Sequence, residues 1–198
     1  MHHQPVLVVL RAEEPLQLSE RLRILEAIGV CHVEIAWSGH PAWVSQVQEL
    51  HRIHGGLMLG AASIGSAQAL ESVAAAGLSY AMAPVLDSRL QQQAEHLGVH
   101  LVPGVFSPSE VHQAMALGCA AVKLFPAVTL GPQYWRRLRD PFGALPFCIA
   151  AGGLAVSDLD AWLAAGVDAV TLGARVADGE ALAKLQAWIA RRQQQGHS

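Results

Sequence analysis

Cysteine is scarce and unpatterned in this chain: three residues, at positions 31, 119 and 148, with no Cys-x-x-Cys pair. That excludes a disulfide framework and a cysteine-rich zinc site. It fits a reducing compartment, so a cytoplasmic location is expected. A basic surplus is missing too. Thirteen Lys plus Arg against sixteen Asp plus Glu give a net charge of -3, which argues against nucleic acid as the main partner, because binding phosphates needs a basic surface. The start, Met1-His2-His3-Gln4, has no basic n-region and the apolar run Val6–Leu10 is shorter than a signal h-region, so no targeting segment is expected. The longest uncharged stretch, 141–157, contains Pro146 and Gly152-Gly153. It reads as turn, buried strand, turn, and no membrane span is expected. Neither a linker nor a low-complexity segment divides the 198 residues, which fit one domain at about 100–200 residues per domain.

What the chain does have is apolar mass: 52% of its residues are hydrophobic, ample for one sizeable core. Eight short runs are apolar throughout, at 5–11, 31–36, 57–61, 78–83, 99–103, 120–124, 147–151 and 169–172. Continuous rather than alternating runs suit strands buried on both faces of a parallel sheet. Segments of helical period lie between them: Leu18, Leu22, Leu25 and Ile28 recur at spacings of four and three, and 67–76, 157–165 and 182–189 show similar periods. Gly29, Gly77, Gly98, Gly118 and Gly166 each stand just past such a segment, where a left-handed C′ residue ends a helix. The order is therefore βα repeated eight times, with strand starts about 20–27 residues apart. This pattern predicts a compact (β/α)8 TIM barrel over residues 1–190, with a polar C-terminal tail at 191–198 expected to fray. The competing fold is an open doubly wound sheet. A Gly-x-Gly-x-x-Gly after the first strand would favour it, but Arg11-Ala12-Glu13-Glu14-Pro15 stands there.

A barrel places chemistry at the C-terminal ends of its strands. Lys123 is one of two lysines and sits in the apolar run Ala121-Val122-Lys123-Leu124-Phe125-Pro126. A buried ammonium loses hydration, its pKa falls, and its amine becomes a nucleophile; alternatively the lysine snorkels or pairs with a carboxylate. Glu34 lies within Val33-Glu34-Ile35, where a carboxylate is costly unless paired or functional. It is either a structural ion-pair partner of Lys123 or Arg11, or the proton shuttle that Schiff-base chemistry on Lys123 needs. Gly152-Gly153 and Gly173 follow the seventh and eighth strands, where barrels bind phosphate on backbone N–H groups.

These residues in this order resemble the 2-keto-3-deoxy-6-phosphogluconate (KDPG) aldolase family, class I Schiff-base aldolases on a TIM barrel. The likeness runs over nearly the whole chain through Val33-Glu34-Ile35, Gly60-Ala61-Ala62-Ser63, Pro103-Gly104-Val105, Lys123-Leu124-Phe125-Pro126 and Gly152-Gly153-Leu154. Gly131-Pro132-Gln133-Tyr134 resembles the sister branch acting on 2-keto-3-deoxy-6-phosphogalactonate. The resemblance implies Lys123 as Schiff-base lysine and Glu34 as general acid/base. It places Arg11, Ser63, Pro84 and Phe125 around the substrate, and Gly152, Gly153 and Gly173 around its phosphate. It also implies a 2-keto acid substrate, no metal or organic cofactor, and a homotrimer. Departures fall in the distal part of the site. Ser38 stands where the gluconate branch has Arg, Ala62 replaces a usual Gly, and Ala151 and Ala174 replace hydroxyl residues; Arg175 is next door. These changes leave two further readings: an aldolase for an unphosphorylated acid such as 4-hydroxy-2-oxoglutarate, and a non-catalytic sugar-acid-binding barrel.

Other features receive plainer readings. His51 and His54 (with His40 as a conceivable third metal ligand) read as a solvated helix face, as do Arg136, Arg137 and Arg139. Trp37 and Trp43 flank the loop after the second strand, where they either cover the site or form an oligomer contact. Cys119 and Cys148 read as small core residues.

Overall fold

The computed structural model describes residues 4–195; the His2-His3 pair and residues 196–198 lie outside them. The strands are β1 Val6–Leu10, β2 His32–Ala36, β3 Met58–Ala62, β4 Tyr80–Met82, β5 His100–Val102, β6 Gly104–Val105, β7 Ala121–Leu124, β8 Phe147–Ala151 and β9 Ala169–Leu172. The helices between and after them are α1 Ser19–Ala27, α2 Trp43–Ile53, α3 Ala67–Ala75, α4 Ser88–Leu97, α5 Pro108–Ala116, α6 Gln133–Arg137, α7 Arg139–Phe142, α8 Leu159–Ala164 and α9 Gly179–Gln195. All pairings are parallel, in the order β5-β4-β3-β2-β1-β9-β8-β7-β6. This is the expected barrel with helices outside it.

Each of the eight apolar runs carries a strand, and a further short strand, β6, follows the fifth run at once. Proline has no N–H to give to a ladder, and at Pro103 the strand changes neighbours: β5 pairs with β4 before it, β6 with β7 after it. The Lys123 N–H donates to the Pro103 carbonyl at 2.8 Å, which draws the two ends of the sheet together there. All five glycines expected to stop helices adopt positive φ, between 68° and 94°. The polar tail departs from expectation, because α9 continues as helix through Gln195, with 191–194 exposed. The Arg192 guanidinium lies 5.1 Å over the Trp188 ring, one of the contacts that tie this last stretch to the buried part of the helix.

Strand periodicity divides the side chains into two layers. Val6, Val8, Leu10, Val33, Ile35, Val122, Leu124, Cys148, Ala150, Val170 and Leu172 point outward and join the helices in the main core. Leu7, Tyr80, Met82, Val102, Ile149 and Ala169 fill the barrel interior. The same parity turns Glu34 and Lys123 inward, each flanked in sequence by outward-facing core residues. Buried Trp43 belongs to the outer core, its indole Nε1–H donating to the Ala36 carbonyl at 3.2 Å, and half-buried Trp37 packs on that core. Among the described residues, no helix is long and apolar enough to cross a membrane.

The start of α5 shows how the sequence fixes an element. The Glu110 N–H donates to Ser107 Oγ at 3.3 Å, and the Ser107 N–H donates to Glu110 Oε2 at 2.7 Å. Ser107→Ala removes one side of this reciprocal cap, and its expected cost is about 1 kcal/mol. Urea unfolding should show a lowered midpoint at unchanged slope.

Candidate active site

A cavity of about 160 Å³ opens at the C-terminal end of the barrel, and all nine residues nominated from the sequence line it. Arg11 follows β1, Glu34 lies on β2, Ser63 follows β3, Pro84 follows β4, Lys123 lies on β7 with Phe125 just beyond it, and Gly152, Gly153 and Gly173 follow β8 and β9.

Lys123 and Glu34 form the floor, with only 8% and 1% of their surface exposed. Burial draws the Lys123 ammonium down to about 8, against the opposing pull of the Glu34 charge and with help from Arg11. Burial likewise pushes the Glu34 carboxyl up to about 8, against the attraction of Lys123 and Arg11. Both shifts favour the uncharged forms: with both groups near 8, Glu34 is mainly protonated near neutral pH, and about a tenth of Lys123 is free amine, far more than for an ordinary lysine. No ion pair joins them, and Glu34 Oε1 makes no hydrogen bond among the described residues. The structural-ion-pair reading of Glu34 is therefore corrected. Desolvation on both sides outweighs the attraction that would drive full ionisation. The Lys123 Nζ sits 4.9 Å from the centre of the Phe125 ring, whose face stabilises positive charge on that nitrogen.

Around this floor the backbone is specialised. Ser63 has φ 65°, a left-handed conformation rare for a residue with a Cβ, and its Oγ accepts from Arg11 Nη1 at 2.8 Å. The hydroxyl and guanidinium thus stand together at the rim. Gly152 has φ 96°, and a Cβ there would meet the Phe125 ring at 2.9 Å. Glycine is what allows Phe125 and the loop after β8 to wall the same cavity.

Thr171 and Val9 also line the cavity but were not nominated. Thr171 is buried, and its Oγ1 makes no hydrogen bond among the described residues. Parity held the clue, because Thr171 shares the inward face of β9 with Ala169. A second cavity of about 320 Å³ adjoins the first and shares Gly153, Leu172 and Gly173 with it. Exposed Arg175 lines this distal space.

Other residues fall elsewhere. Ser38 is outside the cavity lining; its hydroxyl donates to the Glu13 carbonyl at 2.7 Å. His54 is 4% exposed, which corrects its reading as part of a solvated face. It lies 3.2 Å from both Ser19 Oγ and Glu26 Oε2, so it pins the end of α2 to α1. His51, Arg136, Arg137 and Arg139 are exposed. Neither Trp37 nor Trp43 lines the cavity, so neither covers the site. Cys148 is buried, while half-buried Cys119 lines a separate cavity low in the barrel.

Comparison with known proteins bears on the family and the fold. A profile of the family described as KDPG and KHG aldolase matches residues 1–190. The 2-dehydro-3-deoxy-6-phosphogalactonate aldolase of Escherichia coli (strain K12) is 25% identical over 170 residues, which are 85% of this chain and 82% of that protein. A solved structure described as native KDPGal superposes with a TM-score of 0.83 at 22% identity, covering 98% of this chain and 97% of that one. The KDPG aldolase from Legionella pneumophila, with pyruvate captured as a covalent carbinolamine, superposes with a TM-score of 0.78 at 22% identity, covering 96% of this chain and 93% of that one.

Proposed function

Because the chain belongs to the KDPG and KHG aldolase family of carbon–carbon lyases, we propose that it cleaves a 2-keto-3-deoxy-6-phospho sugar acid to pyruvate and glyceraldehyde 3-phosphate through a Schiff base on Lys123. One observation carries this reading: the barrel turns a depressed-pKa lysine and a raised-pKa carboxyl onto one buried floor. The neutral Lys123 amine attacks the C2 carbonyl to give a carbinolamine, which loses water to become an iminium. Glu34, as carboxylate, takes the C4 hydroxyl proton. The C3–C4 electrons move into the iminium, leaving an enamine and releasing the aldehyde. The acid form of Glu34 then protonates C3, and hydrolysis of the new iminium frees pyruvate. The iminium is itself the electron sink, so these steps call for no metal or organic cofactor.

The remaining roles follow from position. Arg11 with Ser63 faces the substrate carboxylate, while Pro84 and Phe125 wall the acyl part. The backbone at Gly152, Gly153 and Gly173 meets the phosphate, beside Arg175 in the adjoining space. Arg175 supplies a charged, bidentate donor in a region where Ala151 and Ala174 bring no hydroxyl. Its truncation to alanine should raise KM for the phosphorylated substrate about 10- to 100-fold, with kcat within about threefold, the signature of lost uniform binding. Exposed Val85 and Val128, close to Pro84 and Phe125 in sequence, together with exposed Phe106, support assembly with further copies of this chain, for which a cytoplasmic homotrimer is proposed.

The deciding experiment is incubation with pyruvate and borohydride followed by peptide mass spectrometry. A reduced pyruvyl adduct on Lys123 is the expected result; saturating pyruvate without an adduct would overturn the Schiff-base reading. The same distal arginine suits a carboxylate, so 4-hydroxy-2-oxoglutarate is the second substrate to test. A higher kcat/KM for it than for the phosphorylated acids would reassign the substrate.

A further inference from the structure

Tyr80 lies below the floor of the proposed active site and is absent from its lining. It borders instead a separate cavity of about 410 Å³ low in the barrel, between Gln91 of α4 and Phe147 of β8. Its ring occupies the space above Gly60, where any Cβ would collide with the end of the phenol. Gly60 is the ladder partner of Glu34. Paired positions on adjacent strands are about 5 Å apart and project to the same face, so the phenol tip is beside the Glu34 side chain.

Both groups are dry and incomplete. Tyr80 is 8% exposed and Glu34 1%, and neither the Tyr80 hydroxyl nor Glu34 Oε1 makes a hydrogen bond among the described residues. A buried donor beside a buried acceptor, each without a partner, is costly unless the two meet in some state of the protein. Catalytic hydrogen bonds are often long in a free enzyme and tighten along the reaction.

We propose that Tyr80 is a positioning residue for Glu34, its hydroxyl donating to Oε1 whenever the carboxyl gives up its proton. The inference rests on the aldolase reading and names what stabilises the carboxylate that the cleavage step needs. Charged and titratable groups reach Glu34 from three other strands: Arg11 after β1, Lys123 on β7 and Tyr80 on β4, with His32 two residues earlier on its own strand. Tyr80 and His32 lie on the side away from substrate, and of the two it is Tyr80 whose ring stands over Gly60, the ladder partner of Glu34. Burial first, and then the Glu34 charge, push its phenol well above the ordinary value, so it remains protonated over the working pH range.

The test follows exchange of the pyruvate methyl protons in deuterium oxide across pH, for the wild type, Tyr80→Phe and protein labelled with 3-fluorotyrosine. Phenylalanine keeps the ring over Gly60. The chain has two tyrosines, so labelling adds fluorine at one other position. The expected result is that Tyr80→Phe still traps pyruvate on Lys123, while its exchange profile moves up by about one pH unit, a tenfold drop in ionised Glu34 below the midpoint. The more acidic fluorophenol should move it down. Profiles that superimpose on the wild type, or a rate lowered equally at every pH, overturn the proposal. A wild-type protein that neither traps nor exchanges pyruvate overturns the functional reading, and this inference with it.

Discussion

Lys123→Met should lower kcat/KM by at least about 10⁴-fold and abolish the borohydride-trapped adduct. Methionine has nearly the length of lysine and an apolar body, so it fits a position with 8% exposure without opening a cavity. What it removes is the amine. No other side chain can substitute, because the second lysine, Lys184, is exposed on α9 in an ion pair with Glu180 at 2.7 Å. The same change removes a charge that the fold must otherwise desolvate, so the variant should melt above the wild type at pH 6–7. A variant that loses activity while gaining stability separates a catalytic role from a structural one. Retention of more than a few per cent of the rate would show that the carbon–carbon cleavage does not run through this nitrogen.

The second large effect is expected from Glu34→Gln. Loss of general acid–base catalysis should cost about 10²- to 10⁴-fold in turnover. Trapping of pyruvate on Lys123 should survive prolonged incubation, because the amine is still present and loses a neighbour that raises its pKa. Exchange of the pyruvate methyl protons should fall with turnover, since both use the same carboxyl. The stability signature has a definite sign. The Glu34 pKa is about 8 in the folded protein against 4.5 ordinarily, so the folded state binds the extra proton and its advantage is lost as pH rises between those values. Glutamine has no such loss. The gain in melting temperature of Glu34→Gln over the wild type should therefore grow from pH 5 to pH 8. A gain that is constant with pH would place the carboxyl in water rather than on a dry floor.

Much of this architecture was legible because strand and helix leave different marks. Eight apolar runs, and a glycine after each of five helical segments, gave the alternation of elements; each run holds a strand, and only β6, just past the fifth run, was not anticipated. Lys123 and Glu34 stood out because a charge between outward-facing core residues must point into the barrel or be buried without a role. Residues whose meaning depends on distant partners were not legible. Tyr80 and Thr171 look apolar or neutral in their runs, and only closure of the barrel brings Tyr80 beneath the floor of the cavity and Thr171 into its wall. His54 read as solvated because its partners, Ser19 and Glu26, lie 35 and 28 residues away in sequence. Ser38 and Arg175 are near the site in sequence, but the turns that hold them aim one at a backbone carbonyl and the other at the distal cavity.

The change of neighbours at Pro103 also gives the barrel a beginning distinct from the chain's own. Read along the chain, β1 and β9 are the first and last strands, yet they pair in the middle of the hydrogen-bonded order. Read from Gly104 forward to β9, and then from β1 to Val102, the order along the polypeptide and the order in space coincide. In that circular sense the described residues form one procession of nine strands whose two ends meet at a proline. Lys123 lies one strand from that junction and Glu34 three strands from it on the other side, so the pair on which the proposed cleavage rests comes from two stretches of sheet that face each other only because the circle closes.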